Sequence, residues 1–535
     1  MFSPPPYSSV HLNEDNENEE PPEYEYSFEK PRIPVESDSF DKSFRVDHPK
    51  FNDGIFTIIF LTVVLLFIII TTLCFKDLTV NAPFLESVSQ AYLTPTSDTS
   101  DKNKRDLILL ALTTVGTPII CSMVALLLAY LFPMFFVFIG YFIIPLTFFS
   151  VATISFANGA ALIGLLFFFL GILSLTFIYQ NYSKLSFTAL MLKIVIEVMR
   201  LHPSIPFVSF LGSISSGLIG LVYMFMTAII YADRIRIDDR TCPTDDPENQ
   251  PCVSATSTWI YIYVLFTGYY IFEVLKNLVH VTVSGVYGSW YFFEKSPLKP
   301  LHPAWGAFKR AVTYCFGSIC FGSLIVSVIR AMRQILAVLQ QKLAERRTHR
   351  GSSSDDFGAN AFIYCILACI VSIFDFIFAQ AEYWIKWFNQ YAYSYMALYG
   401  KSYLASARDT FEIMKYKGIF ILITDCLIGA TLTFYSILTC VLSSGIFYAA
   451  IVGFQKNTNV APEFIVGGFI VQLLLAYFIT SVTLNSINSG FITFLVALCI
   501  EPEIFEANYH DYFVKMTNYY PEVSQSLKVP FPEGV

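Results

Sequence analysis

Charge is scarce in this sequence. Asp, Glu, Lys and Arg make up 14% of its 535 residues and hydrophobic residues 55%, where a soluble domain carries about 25% charge. That much apolar surface cannot be hidden in a soluble core, but a bilayer can take it. No CxxC pair occurs among the eleven cysteines, which argues against a metal-ligand cluster. Most of the thiols lie inside apolar runs, where they act as small hydrophobes. HExxH, GxSxG, a phosphate loop and an intramembrane aspartyl pair are all absent, and of seven histidines only His280 falls in an apolar run. These absences argue against an intramembrane hydrolase and an ATP-driven pump, so no enzyme activity, cofactor or metal is expected. No basic stripe marks a nucleic-acid partner. No cleaved leader is expected either. The first apolar run, Ile55–Phe75, follows a polar, Pro-rich tail, and its 21 uncharged residues exceed the about 7–15 of a signal sequence.

What is present is a series of apolar runs, each near the about 20 residues that cross a bilayer. The expected fold is all-α: a polytopic transmembrane helix bundle of about ten spans behind a disordered N-terminal tail. Residues 1–50 form that tail, 51–500 the membrane domain and 501–535 a C-terminal tail. Ile55–Phe75, Leu107–Phe132, Met134–Phe156, Gly159–Tyr179 and Ile205–Tyr231 carry no charge. Trp259–Val283 is the sixth span, Val312–Ile329 the seventh, and Ala361–Ala379, with Asp375 near its end, the eighth. Two longer stretches start at Ile419 and Phe464, the first containing Asp425. Leu185–Arg200 has charges at helical spacing and reads as an amphipathic helix on the membrane surface or under the bundle.

Lys and Arg in short loops set orientation. Lys184, Lys193 and Arg200, then Lys295, Lys299, Lys309 and Arg310, then Lys401, Arg408, Lys415 and Lys417 mark one side as cytosolic, with both termini on it. Arg330, Arg333, Lys342, Arg346, Arg347 and Arg350 violate the rule, as do Lys102, Lys104 and Arg105. An eight-span chain, with spans seven and eight re-entrant, would remove the larger violation. Membrane lipid is the surrounding partner in either case. Cys242 and Cys252 lie in a polar, acidic, Pro-rich loop on the outer side, a setting that suits a disulfide.

Two motifs stand out. Pro4-Pro5-Pro6-Tyr7 and Pro21-Pro22-Glu23-Tyr24 both fit Pro-Pro-x-Tyr, the polyproline form that docks WW-domain grooves, so a WW-domain ubiquitin ligase is an expected partner. In the sixth span Glu273, Lys276, Asn277 and His280 share one helix face behind a run of aromatics ending in Tyr269 and Tyr270. An acid beside aromatic faces is what an organic ammonium needs. Tyr269, Tyr270, Glu273, Asn277, His280 and Asp425 are therefore substrate-path candidates, with Glu273–Lys276 as an ion pair. The plainer reading makes Glu273–Lys276 structural and the aromatics an interfacial belt. Ser318 and Gly322 have the small-residue spacing of a close helix crossing.

From Gly268 onwards the chain resembles the choline-transporter-like family, and within it the fungal members. The resemblance is carried by GYYIFEVLKNLVHVTVSGVYGSWYF (Gly268–Phe292), KRAVTYCFGSICFGSLIVSVIRAMRQIL (Lys309–Leu336) and FNQYAYSYMALYGKSYLASARDTF (Phe388–Phe411). It implies a multi-pass plasma-membrane protein with about ten spans and a cytosolic N-terminus. Animal members of that family move choline and related amines. The long Cys-rich outer loop of animal members is missing, since Lys76–Asp106 is short and holds no Cys. Two functions are expected on this basis. One is a transporter of a small organic cation of the choline or ethanolamine type. The other is a non-transporting scaffold or regulator working through its Pro-Pro-x-Tyr tail.

Overall fold

The structure is a computed structural model and describes residues 40, 44, 50–81, 99–241, 254–349, 357–417, 426–455 and 462–519. Both Pro-Pro-x-Tyr motifs, the expected Cys242–Cys252 disulfide and Asp425 lie outside the described residues. The described residues form helices and no strand. Ten of these helices are long and apolar enough to cross a membrane. They are α1 (Gly54–Asn81), α2 (Thr99–Leu131), α3 (Pro133–Ala157), α4 (Ala161–Gln180), α6 (Ser204–Thr241), α7 (Ala255–Phe293), α9 (Phe316–His349), α10 (Phe357–Tyr399), α12 (Ile428–Gln455) and α13 (Pro462–Ile500). Five others do not span: α5 (Tyr182–Leu201), α8 (Pro303–Val312), α11 (Tyr403–Lys417), α14 (Pro502–Asn508) and α15 (His510–Tyr519).

Local chemistry starts several of these helices. Ser254 caps α7, its Oγ accepting from the Ser257 N–H at 3.2 Å, and proline stands in the first turn of α3, α8 and α14, where a backbone donor is not missed. Pro118 and Pro145 lie inside α2 and α3 without ending them. On α4, only Gly164, Gly171 and Ile178 are buried, a seam recurring every seventh residue. A Cβ on Gly164 or Gly171 would sit 2.7 Å from the Phe156 or Phe149 ring, so the missing side chains are what let α3 and α4 close.

Because ten spans alternate in direction, the five short helices all fall at one end of the bundle. Expectation and structure agree on an amphipathic α5, and its place is under the bundle. Leu185, Phe187, Met191, Leu192 and Ile194–Ile196 are buried, and Val195 O accepts a 2.9 Å hydrogen bond from the Tyr287 hydroxyl on α7. The start of α1 is tied to the same end. Asp53, at φ 54°, accepts from Ser318 Oγ at 2.5 Å and Tyr403 N at 2.9 Å. The left-handed backbone is tolerated by Asp better than by most residues. His202 meets Glu294 at 3.1 Å, joining the α5–α6 corner to the end of α7. Burial there pulls the His202 pKa down, against the upward pull of Glu294.

Three expectations are corrected. The seventh span starts at Phe316, not Val312, and extends to Ala344. Arg330 and Arg333 are thus inside it rather than in a loop, and the eight-span alternative is unnecessary. The eighth runs Cys365–Tyr399, so Asp375 lies well inside it, together with Glu382 and Lys386. In both helices charge looked like a boundary because the partners across the helix pair were invisible in sequence. The ninth span begins at Ile428. After the last span the chain packs back as α14 and α15, burying Phe505, Phe513 and Met516.

Candidate functional site

α7 is the hub. Its 39 residues reach about 58 Å at 1.5 Å per residue, and α1, α6, α8, α9, α10 and α13 pack around it. Its two halves differ. Every residue from Val279 to Tyr291 is buried, whereas Tyr269 and Lys276 are only half-buried. Partial exposure at mid-length marks a cleft where the ring of helices around α7 is not closed.

That cleft, between α7, α9, α10 and α13, holds a charge network. Glu382 of α10 is its centre. One of its oxygens meets Arg330 Nε at 2.8 Å and also Lys386 Nζ. The other meets Arg333 Nη1 at 2.9 Å. Arg330 Nη1 then reaches Glu273 at 3.2 Å, and Arg333 Nε reaches Asp375 at 3.0 Å. The Arg330 guanidinium lies 5.4 Å over the Tyr269 ring, whose hydroxyl accepts from Gln334 at 3.3 Å. Phe478 of α13 stacks on Phe272 of α7 at 4.1 Å, which brings its neighbour Tyr477, 50% exposed, to the α7 turn that carries Glu273. A charged residue at mid-helix costs about 2.5–3.5 kcal/mol on insertion scales. Mutual pairing offsets that cost and leaves the cations where a membrane can hold them.

Glu273 and Tyr269 both meet Arg330, and the expected Glu273–Lys276 ion pair is not formed. The carboxylate turns across to Arg330 instead. A planar guanidinium can serve Glu273 and Glu382 at once and sheds water more readily than an ammonium, so it displaces the lysine three residues along the same helix. The other candidates on α7 lie outside the charge network, Asn277 and His280 because they sit one and two turns further along the helix from Glu273. Tyr270 is fully buried, its hydroxyl donating to Cys320 O at 3.2 Å and its ring meeting the Phe60 edge at 5.1 Å. Asn277 donates to Ser323 Oγ at 2.9 Å. His280 contacts Ser489 Oγ at 2.6 Å, Gln390 O at 2.9 Å and Ser394 Oγ at 3.2 Å.

Together these groups seal the cleft toward the α5 end. His280, Ser323, Ser394 and Ser489 are inaccessible to solvent, and Tyr393 and Tyr287 fill the level below. Gly322, next to this floor, would place a Cβ 2.9 Å from the Tyr393 ring of α10 and 2.7 Å from the Tyr403 ring of α11, so the small residue singled out in the sequence permits the close approach of both helices to α9. Toward the other end Asp375 and Arg333 keep 38% and 35% of their side chains exposed. Sequence reasoning missed Arg330, Glu382, Lys386 and Tyr477. The available signal was that Arg330 and Arg333 broke the loop-charge rule while uncompensated acids stood in the next apolar run.

Fungal proteins named PNS1 match over most of their length. The protein of Debaryomyces hansenii is 32% identical over 530 residues, covering 98% of each chain. That of Saccharomyces cerevisiae is 32% identical over 511 residues, covering 91% of this chain and 88% of its own. That of Aspergillus fumigatus is 30% identical over 371 residues, covering 68% and 65%. The family described as "Plasma-membrane choline transporter" matches residues 165–503, a stretch that contains all four cleft helices. This multi-pass membrane protein belongs to the choline transporter-like family.

Proposed function

We propose that the protein carries a small organic cation or amine across the plasma membrane, through the cleft between α7, α9, α10 and α13. The observation that carries this reading is the position of Arg330. Its guanidinium is held between two carboxylates, Glu273 and Glu382, over the face of Tyr269. Acid and aromatic face together are the complement of a substituted ammonium, and here a cation of the protein itself fills them. An incoming ammonium takes over the Glu273 and Tyr269 contacts as Arg330 shifts toward Glu382. The one-sided opening supports the same reading, since alternating access needs a state closed at one end. The Lys and Arg residues clustered around α5, α8 and α11 favour a cytosolic α5 end, and hence cytosolic termini. Recruitment of a WW-domain ubiquitin ligase at Pro4–Tyr7 and Pro21–Tyr24 belongs to the proposal as regulation and rests on the motif pair in the sequence.

The test is uptake of labelled choline, ethanolamine and larger amines into proteoliposomes holding the purified protein. Saturable uptake of at least one, absent from empty liposomes, is expected. Uptake of none would remove the transport reading and favour the scaffold.

A further inference from the structure

The charges that line the cleft do not cancel. Glu273, Glu382 and Asp375 face Arg330, Arg333 and Lys386, three acids against three bases, all in the ion pairs described above. Lys276 is a fourth base. It is half-buried on α7, seven residues after Tyr269 and so on nearly the same face of the helix. Among the described residues it makes no ion pair and no hydrogen bond. Three residues separate it from Glu273, so it lies about 4.5 Å further along α7, toward the sealed floor. An ammonium without a partner at mid-span is costly. A simple cation entering this cleft would meet a surplus of positive charge and would leave Lys276 unpaired.

We infer that the ligand of this cleft is a zwitterion, with an amine or quaternary ammonium for Glu273 and Tyr269 and a carboxylate or phosphate for Lys276. The inference rests on the transport site proposed above and narrows its substrate class. Such a ligand lies along α7, ammonium toward the open end and anion toward the floor. Its two charges are separated by a few bonds, which matches the one-turn offset between Glu273 and Lys276. It adds nothing to the surplus of positive charge and gives Lys276 a charge-assisted bond. A plain amine can do neither.

The test measures equilibrium binding to the purified full-length protein with matched probes. Choline is compared with glycine betaine and phosphocholine, and ethanolamine with glycine and phosphoethanolamine. In at least one set a zwitterion should bind about tenfold or more tightly than the simple cation, the effect of one charge-assisted bond. Lys276→Gln should abolish that gap by weakening the zwitterion while leaving the cation unchanged or tighter, and Lys276→Arg should preserve it. Ligand-free Lys276→Gln should also melt no lower than the wild type, because it removes an unpaired charge. A lower melting temperature would make Lys276 a structural residue and overturn the inference. Equal loss of all probes in Lys276→Gln would do the same. Wild-type protein that binds the cations as tightly as the zwitterions overturns this inference and leaves the amine-transport reading standing. Protein that binds none of the probes overturns both.

Discussion

Replacing Glu382 by Ala should destabilise the bundle by about 3–5 kcal/mol, more than removal of any other charge in the cleft. The reason is that three cations share this one carboxylate, and removing one side of a buried ion pair leaves the other side uncompensated. Arg330 retains Glu273 and Arg333 retains Asp375, but Lys386 is left without its carboxylate. The same logic says that Lys386→Met, added to Glu382→Ala, should return part of the loss, because the stranded ammonium is removed with its partner. Thermal unfolding of the purified variants measures both effects. A Glu382→Ala protein that melts with the wild type would show that the network is not holding α9 to α10.

The two adjacent tyrosines of α7 should separate cleanly. Tyr269 lies under Arg330 in the cleft, whereas Tyr270 is a fully buried packing residue against Phe60 and Phe266. Tyr269→Ala should raise the apparent half-saturation constant for uptake several-fold to tenfold, in line with about 0.5–2 kcal/mol for a cation–aromatic contact. Tyr269→Phe keeps the ring, loses only the bond from Gln334, and should retain most of the uptake. Tyr270→Ala should leave the half-saturation constant of the folded fraction near normal but cost about 3–5 kcal/mol in stability through the cavity it opens. Uptake kinetics at matched surface expression, with melting temperatures alongside, distinguish the roles. An uptake defect in Tyr270→Ala larger than that in Tyr269→Ala would reverse the assignment.

Much of the fold was legible because the bilayer imposes it. The need for about 20 apolar residues per crossing located all ten spans, and the period of charges in Leu185–Arg200 located α5. Boundaries failed where function places charge inside a span. Arg330, Arg333, Asp375, Glu382 and Lys386 read as ends of apolar runs, since nothing in a linear sequence shows that α9 and α10 neutralise one another. The candidate site was legible in the same partial way. Helix geometry correctly set Tyr269 near Glu273, because residues three and four apart share a face. It could not choose between Lys276 and Arg330 as the partner of Glu273, as that choice depends on a helix 57 residues further along the chain. Nor could it separate Tyr269 from Tyr270, since adjacent positions point about 100° apart on a helix and only tertiary packing says which one meets the cleft. Tyr477 of α13 had no local signal at all.

The cleft at Tyr477 should be a water-filled binding path rather than a lipid-facing groove. Its most direct test is thiol accessibility of Tyr477→Cys, in protein whose exposed Cys365 and Cys369 have been changed to Ser. A small, charged, membrane-impermeant thiol reagent should label Cys at this position from the side opposite α5, and a saturating concentration of the transported amine should slow that labelling at least several-fold. Absence of labelling, or labelling that no transported amine slows, would mean that the cleft is not a binding path.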